Sequence, residues 1–417
     1  MMRSAAPVSI TGMGCITAAG ATLAANIAAL DAGLRNPLPP SLFTVEKNHP
    51  VFMADLPGAD ASVFAALPDA RFLAGARLLA GCSRTVRLAA HAALEALGNA
   101  GLDPRSLAGA RVGICLGTSV GTALEFYDLY CAVRVGKDAP LDELHGYLKS
   151  NPALALARIL RPSGATIGPV QCVTNACSSG ADAIGIAARW IRDGLCDIAL
   201  CGGTDALARI TYLGFASLRL TSADACLPFD KNRNGLNLGE GAAILVLESP
   251  ERARGRKRSG TVLGYGTATD AHHLTAPHPE ARGLVLALDQ ALTQAGARRE
   301  DVAFINAHGT ATPTNDAAEG AFFKQHFPQT PFVATKGGTG HTLGAAGAVE
   351  AVFTLAHLAR GLLPASPGFT EEDPAIGVSP VAVPTAVSGS VAMSQSLAFG
   401  GNNSVLILGK GDAPCPW

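Results

Sequence analysis

The 417-residue chain is short of charge and of aromatic rings: 16% of its residues are Asp, Glu, Lys or Arg, and 5% are Phe, Trp or Tyr. Globular chains average roughly 25% charged residues and disordered ones are polar and charge-rich, so a sequence 48% hydrophobic belongs to a folded protein. The deficit points to surface hidden inside the fold or against a partner subunit. Neither sign of charge is in excess, since the formal net charge is -1, and the overall basicity of a nucleic-acid binder is missing. No apolar run reaches the roughly 18 residues that a membrane span requires. Gly12, Gly14 and Gly20 interrupt what would be the apolar core of a secretory leader. Ten cysteines are spread along the chain without a C-x-x-C pair, so reduced thiols in a cytoplasmic protein are expected. One basic run, 252–258 after Pro250, reads as a solvated linker.

Glycine is plentiful, at 47 residues. Short aliphatic runs alternate with Ala/Leu stretches of helical length, the pattern of an α/β protein. Strands are expected at 8–11, 111–116, 198–201, 243–247, 302–306 and 405–408, and their continuous apolar character suits strands covered on both faces. The order helix, Ala-Gly turn, linker, strand, Gly-Thr over 92–119 recurs over 286–311. A duplicated unit follows, with halves 1–256 and 257–417 meeting near the basic run.

Four segments could carry chemistry. Cys177 lies in "NACSSG", between a strand-like run and an amphipathic helix bearing Ala181, Ile184, Gly185, Ala188 and Ile191. A helix N-terminus favours a thiolate, so a lowered pKa is expected there. His308 leaves a strand in "NAHGTATPTND". His341 follows Lys336 in "KGGTGHTLGAAGAVE", which also contains Glu350. The "LAFGGNN" segment frees the backbone at Gly400 and Gly401 for an oxyanion-type donor or a moving loop. A nucleophile and two imidazoles are thereby available. His272, His273 and His278 have no carboxylate or thiolate at metal-ligand spacing, so no metal is expected. "GTSVGT" at 117–122 lacks the Lys-Ser/Thr of a phosphate loop.

Together, in this order and over nearly the whole chain, these motifs resemble the β-ketoacyl-acyl-carrier-protein synthases of the elongating, Cys-His-His type. The resemblance implies a thiolase fold, with two similar halves in a five-layered αβαβα arrangement. It also implies a dimer, an acyl carrier protein as partner, and no cofactor beyond the phosphopantetheine arm that carries the substrates. By the same resemblance Cys177 takes the acyl chain, and His308 and His341 assist loss of carbon dioxide from a malonyl thioester. The backbones of Cys177 and Phe399 form the oxyanion hole. Lys336 supports the His341 region through Glu350, Thr310 and Thr312 bind the pantetheine arm, and Glu319 is a structural acid. Leu397, Ala398, Phe399, Gly400 and Gly401 form the gating loop, and Ser119 and Val120 fall at the floor of the acyl pocket.

The gating loop departs from the usual Phe-Gly-Phe-Gly-Gly-Thr-Asn, and the 125–160 stretch lacks the usual Phe- and Pro-rich character. Acyl preference therefore stays open between fatty-acid elongation and a specialised polyketide or aryl-polyene type pathway. A thiolase would carry a second catalytic cysteine and a priming synthase an asparagine where His341 stands. A chain-length factor would have lost the nucleophile. A homodimer and a heterodimer with such a degenerate partner both remain open.

Overall fold

A computed structural model describes residues 6–46, 48–56, 82–119, 121, 126–138 and 150–412. Its framework is a ten-stranded sheet made of β1 (Val8–Thr17), β2 (Arg111–Gly117), β3 (Thr166–Val173), β4 (Ile198–Asp205), β5 (Gly241–Glu248), β6 (Gly260–Thr269), β7 (Val302–Asn306), β8 (Phe332–Val333), β11 (Val391–Ala398) and β12 (Asn402–Lys410). Two further strands, β9 (Leu362–Leu363) and β10 (Thr385–Ala386), pair separately.

The strand order is β3-β2-β4-β5-β1-β6-β12-β11-β7-β8. Counted outward from the centre, each block of five places its first strand innermost, then its fifth, fourth, second and third. The directions repeat as well: β2 is parallel to β3 and β4, as β7 is to β8 and β11, and all other contacts are antiparallel. The blocks join through a short β1–β6 pairing, Val8↔Val262, Ser9↔Thr261 and Ile10↔Gly260.

Side chains that alternate along the strands sort the core into layers. Helices α1 (Arg84–Asn99) and α2 (Pro152–Leu160) pack on one face of the first block against Val112, Ile114, Leu200 and Ile244. The opposite face, with Cys115, Ala199 and Leu245, meets α3 (Ser179–Arg192) and, further along the chain, α7 (Ala346–Arg360). Leu406 and Leu408 of β12 join that same cluster from the second block. Val405 and Ile407, pointing the other way, pack against α5 (Arg282–Ala295) and α6 (Pro313–His326). The result is helix, sheet, helix, sheet, helix, as expected.

Glycines set the spacing of these layers. A Cβ on Gly12 or Gly14 would lie 2.1 Å from the carbonyl oxygens of Ala96 and Ala92 in α1. A Cβ on Gly264 or Gly266 would lie 2.0 Å from those of Ala291 and Ala287 in α5. The inner strand of each block thus touches its outer helix backbone to backbone.

The basic run is a solvated segment only in part: Arg254, Lys257 and Arg258 are exposed, whereas two of its arginines are tied down. Arg252 and Arg256 close on the buried Glu248 at 3.5 and 3.1 Å, and Arg252 also donates to Ser106 O at 3.0 Å. Arg258 pairs with Asp412 at 2.7 Å. Arg252 and Arg256 thus converge on one buried carboxylate, and Arg258 turns to an exposed one. Among the described residues, no helix is long and apolar enough to cross a membrane.

Candidate active site

The turn after β3 holds Ala176 at φ +47°, a left-handed conformation unfavourable for a residue with a Cβ, and Cys177 follows just before α3. Ser179 Oγ donates to Ala176 O at 2.6 Å, and Ser178 Oγ shares its proton between Asn175 O and Asp182 Oδ2, each at 2.9 Å, so two hydroxyls brace the turn. Small residues are needed here because a Cβ on Gly180 would meet Gly344 O at 2.9 Å. The start of α3 therefore abuts the turn that follows His341.

His308 comes from the loop after β7. Its backbone N–H and that of Gly309 both donate to Glu319 of α6 at 2.7 Å, and Asn315 and Gln395 donate to the same carboxylate at 2.7 and 2.6 Å. His341 hangs from the short helix Lys336–Thr339, with its backbone N–H on Asn237 O at 2.8 Å. The imidazoles meet edge to face with centroids 5.1 Å apart. Ligating atoms of Cys177, His308 and His341 all lie within 4.8 Å of one another, and all three residues are buried.

The hydrogen bonds fix the tautomers. Lys336 Nζ stands 3.0 Å from His308 Nδ1, and an ammonium can only donate. The Leu343 N–H donates to His341 Nδ1 at 3.1 Å. With both Nδ1 atoms accepting, each neutral ring carries its proton on Nε2. Burial, followed by the Lys336 charge, holds both histidines well below the ordinary imidazole pKa. Lys336 also donates to His308 O and pairs with Glu350. Its hydrogen bonds thus run to His308, whereas the sequence had attached it to the His341 region.

The thiol is a second correction. Burial pushes Cys177 up to about 11, against the pull of Lys336 and of the Phe399 backbone N–H on its sulfur. A helix N-terminus alone does not make this cysteine a resting thiolate.

One cleft gathers Cys177, His308, His341, Thr310, Thr312, Leu397, Ala398 and Phe399, with Phe215, Leu220 and Leu236 as apolar wall. The Thr310 and Thr312 hydroxyls are 2.9 Å apart. Phe399 stacks on Phe215 at 5.2 Å, from helix α4 (Arg209–Ser217). Gly400 and Gly401 take φ +84° and +77° directly after it. Ser119 is not among the cleft-lining residues: it is exposed, with its hydroxyl on Asp205 at 2.7 Å, and Val120 lies outside the described residues. The Cys-His-His set has the reach to hold a metal. The Lys336 ammonium, 3.0 Å from His308 Nδ1, opposes a second cation there.

The sequence reading missed Asp182, a buried aspartate inside α3 that accepts from Asn175 and Ser178 on either side of Cys177. An aspartate five residues after a nucleophile, amid the small and apolar residues that open the following helix, was the available signal.

Residues 5–253 match the family model for the Beta-ketoacyl synthase N-terminal domain, and residues 259–370 that for its C-terminal domain. The chain is 33% identical to 3-oxoacyl-[acyl-carrier-protein] synthase 2 of Synechocystis sp. over 424 residues, spanning 97% of this chain and 98% of that one. It is 34% identical over 348 residues to the tetracenomycin polyketide synthase ketoacyl synthase alpha subunit of Streptomyces glaucescens, spanning 78% and 81%. The solved ishigamide ketosynthase/chain length factor superposes with a TM-score of 0.84 at 31% identity, covering 98% of this chain and 100% of that chain.

Proposed function

The chain belongs to the β-ketoacyl synthase family, and from that footing we propose that it is a condensing acyltransferase that lengthens an acyl chain carried on acyl carrier protein. The reaction is a decarboxylative Claisen condensation, in fatty-acid or polyketide-type elongation. The observation that carries this reading is the buried Cys177, His308 and His341 set, within 4.8 Å of one another and lining one cleft.

Cys177 Sγ attacks the incoming thioester, and its proton leaves on the pantetheine sulfur. The backbone N–H groups of Cys177 and Phe399 receive the developing oxyanion. A malonyl thioester then enters, and the Nε2–H groups of His308 and His341 donate to its carbonyl oxygen as carbon dioxide departs. The enolate carbon attacks the acyl-enzyme, the C–S bond to Cys177 breaks, a 3-oxoacyl thioester leaves, and the Cys177 thiolate takes a proton from water. Neutral donors at Nε2 suit this step because charge appears on the oxygen only as the carboxylate is lost. Thr310 and Thr312 line the path of the pantetheine arm, residues 397–401 gate it, and Lys336, Glu350 and Glu319 hold the two histidine loops.

Residues 1–256 and 257–417 form the two halves of a duplicated unit, the first supplying the nucleophile and the second both histidines. The repeated strand order supports this division. The outermost strand β3, partly exposed along its length, supports pairing with a second subunit, since open edges are normally covered. A heterodimer with a chain-length-factor-like partner is the second reading, favoured by the likeness to the ishigamide pair and by Leu397-Ala398 in the gate. Arg219, exposed, and Arg209, whose guanidinium lies over the Tyr127 ring, are offered to an acidic carrier. Free cysteines throughout the described residues support a reducing, cytoplasmic setting.

Intact-mass detection of acyl-Cys177 after incubation with a panel of acyl-carrier proteins tests the reading. Condensation with malonyl-carrier protein should vanish in Cys177→Ala; full activity in that variant would overturn it. His308→Ala and His341→Ala should impair decarboxylation more than acylation, and loss of acylation in both would refute that division. Size and mass of co-expressed protein distinguish homodimer from heterodimer.

A further inference from the structure

Asp182 lies in the first turns of α3, 3% exposed. A carboxylate offers about four acceptor positions, and here four donor groups converge on them. Asn175 Nδ2 donates to Oδ2 at 2.7 Å, and Ser178 Oγ stands 2.9 Å from the same oxygen, its one proton shared between Oδ2 and Asn175 O. Tyr265 OH donates to Oδ1 at 2.8 Å, joined there by Ser404 Oγ. The first pair brackets Cys177. The second comes from β6 and β12, and Ser404 lies five residues beyond Phe399 on the strand that leaves the 399–401 turn. Space for the Tyr265 ring is made by Gly185, where a Cβ would lie 2.3 Å from that ring. A buried carboxylate is costly unless its lone pairs are all used, and this one is used entirely to join the nucleophile turn to the other block.

We infer that Asp182 is a positioning residue that fixes Cys177 relative to the Phe399 amide, the two supports of the oxyanion arriving from different blocks. The strained Ala176 conformation needs such a clamp, because the turn would otherwise relax toward an unstrained backbone. The inference rests on Cys177 being the acylated residue.

The test uses the full chain and measures the rate of acyl transfer to Cys177 by intact mass, together with KM for the acyl-carrier substrate and the melting temperature. Asp182→Asn keeps an acceptor for Tyr265 and Ser404 but turns an amide N–H toward Asn175 Nδ2, which also donates. Acylation should slow roughly tenfold or more, as expected for a misplaced reacting group, with KM and melting temperature little changed. The exchanged pair Asn175→Asp/Asp182→Asn restores an acceptor opposite a donor and should recover the rate to within about threefold. Wild-type acylation in Asp182→Asn would overturn the inference, as would a folded exchanged pair that recovers nothing. Should Asp182→Asn not fold, Tyr265→Phe removes a single bond to Oδ1; it should slow acylation severalfold, and an unchanged rate would overturn the inference. A wild-type protein that never acylates at Cys177 would instead refute the nucleophile assignment.

Discussion

Lys336 Nζ lies 3.0 Å from Nδ1 of His308, so an ammonium dictates which face of a neutral imidazole carries the proton. Two consequences are separable. Lys336→Met frees His308 to swap tautomers, and it removes the charge that favours a thiolate at Cys177. Decarboxylation of malonyl-carrier protein should fall by roughly 100-fold, within the range for loss of a positioned proton donor. Alkylation of Cys177 by iodoacetamide should rise with pH toward an inflection near 11 in the wild type and shift further alkaline in the variant.

Glu350 is the counter-charge of Lys336, and both are 2% exposed. Glu350→Ala strands a buried ammonium and should cost about 3–5 kcal/mol of stability, read from urea unfolding. Lys336→Met/Glu350→Leu should recover most of that stability while decarboxylation stays down by roughly 100-fold.

His357 in α7 is fully buried, and neither ring nitrogen has a partner among the described residues. Burial, then Arg360, pulls it down to about 4. Below about pH 6.5 the unfolded chain binds a proton here that the folded one refuses, so stability falls as pH drops from 6.5 to 4 and levels off below. His357→Leu should remove that dependence, recovering about 3 kcal/mol at pH 4. Denaturation curves across pH 4–7 check it, and identical slopes in both proteins would refute it.

Gly12→Ala and Gly264→Ala should each destabilise by about 3 kcal/mol or more, because the new methyl must push a helix backbone off a strand. Gly98→Ala is the control. Gly98 is exposed in α1 with open space around its Cβ position, and alanine there should stabilise by about 0.5–1 kcal/mol. Melting temperatures of the three variants decide.

Aliphatic continuity made β1, β2, β4, β5, β7 and β12 visible from sequence. It hid β6, whose Gly260, Gly264 and Gly266 break the apolar run, and β11, where Ser394, Gln395 and Ser396 look like a loop although all three are buried. In both cases the residue type answers a tertiary contact: a helix backbone for Gly264 and Gly266, the Leu355 side chain for Gly260 and, for Gln395, the Glu319 carboxylate. Cys177, His308, His341, Thr310, Thr312 and Phe399 were legible because loop motifs carry them, and the fold brings them to one cleft. The contact of Lys336 with His308 and the direction of the Cys177 shift were not, since the first depends on how two loops of the second block meet and the second on burial. Asp182 belongs to no motif, so only its four donors reveal it.

The four inner-strand glycines divide the chain into two kinds of position. Leu397, Ala398, Phe215, Leu220 and Leu236 meet the cleft through side chains, so exchanging them changes the shape offered to an acyl chain and leaves the layers in place. Gly12, Gly14, Gly264 and Gly266 offer nothing to exchange, because what touches the helix is the peptide itself. A library that randomises the cleft wall while holding those four fixed samples product length among folded proteins; one that spares nothing spends most of its members on chains whose layers no longer close.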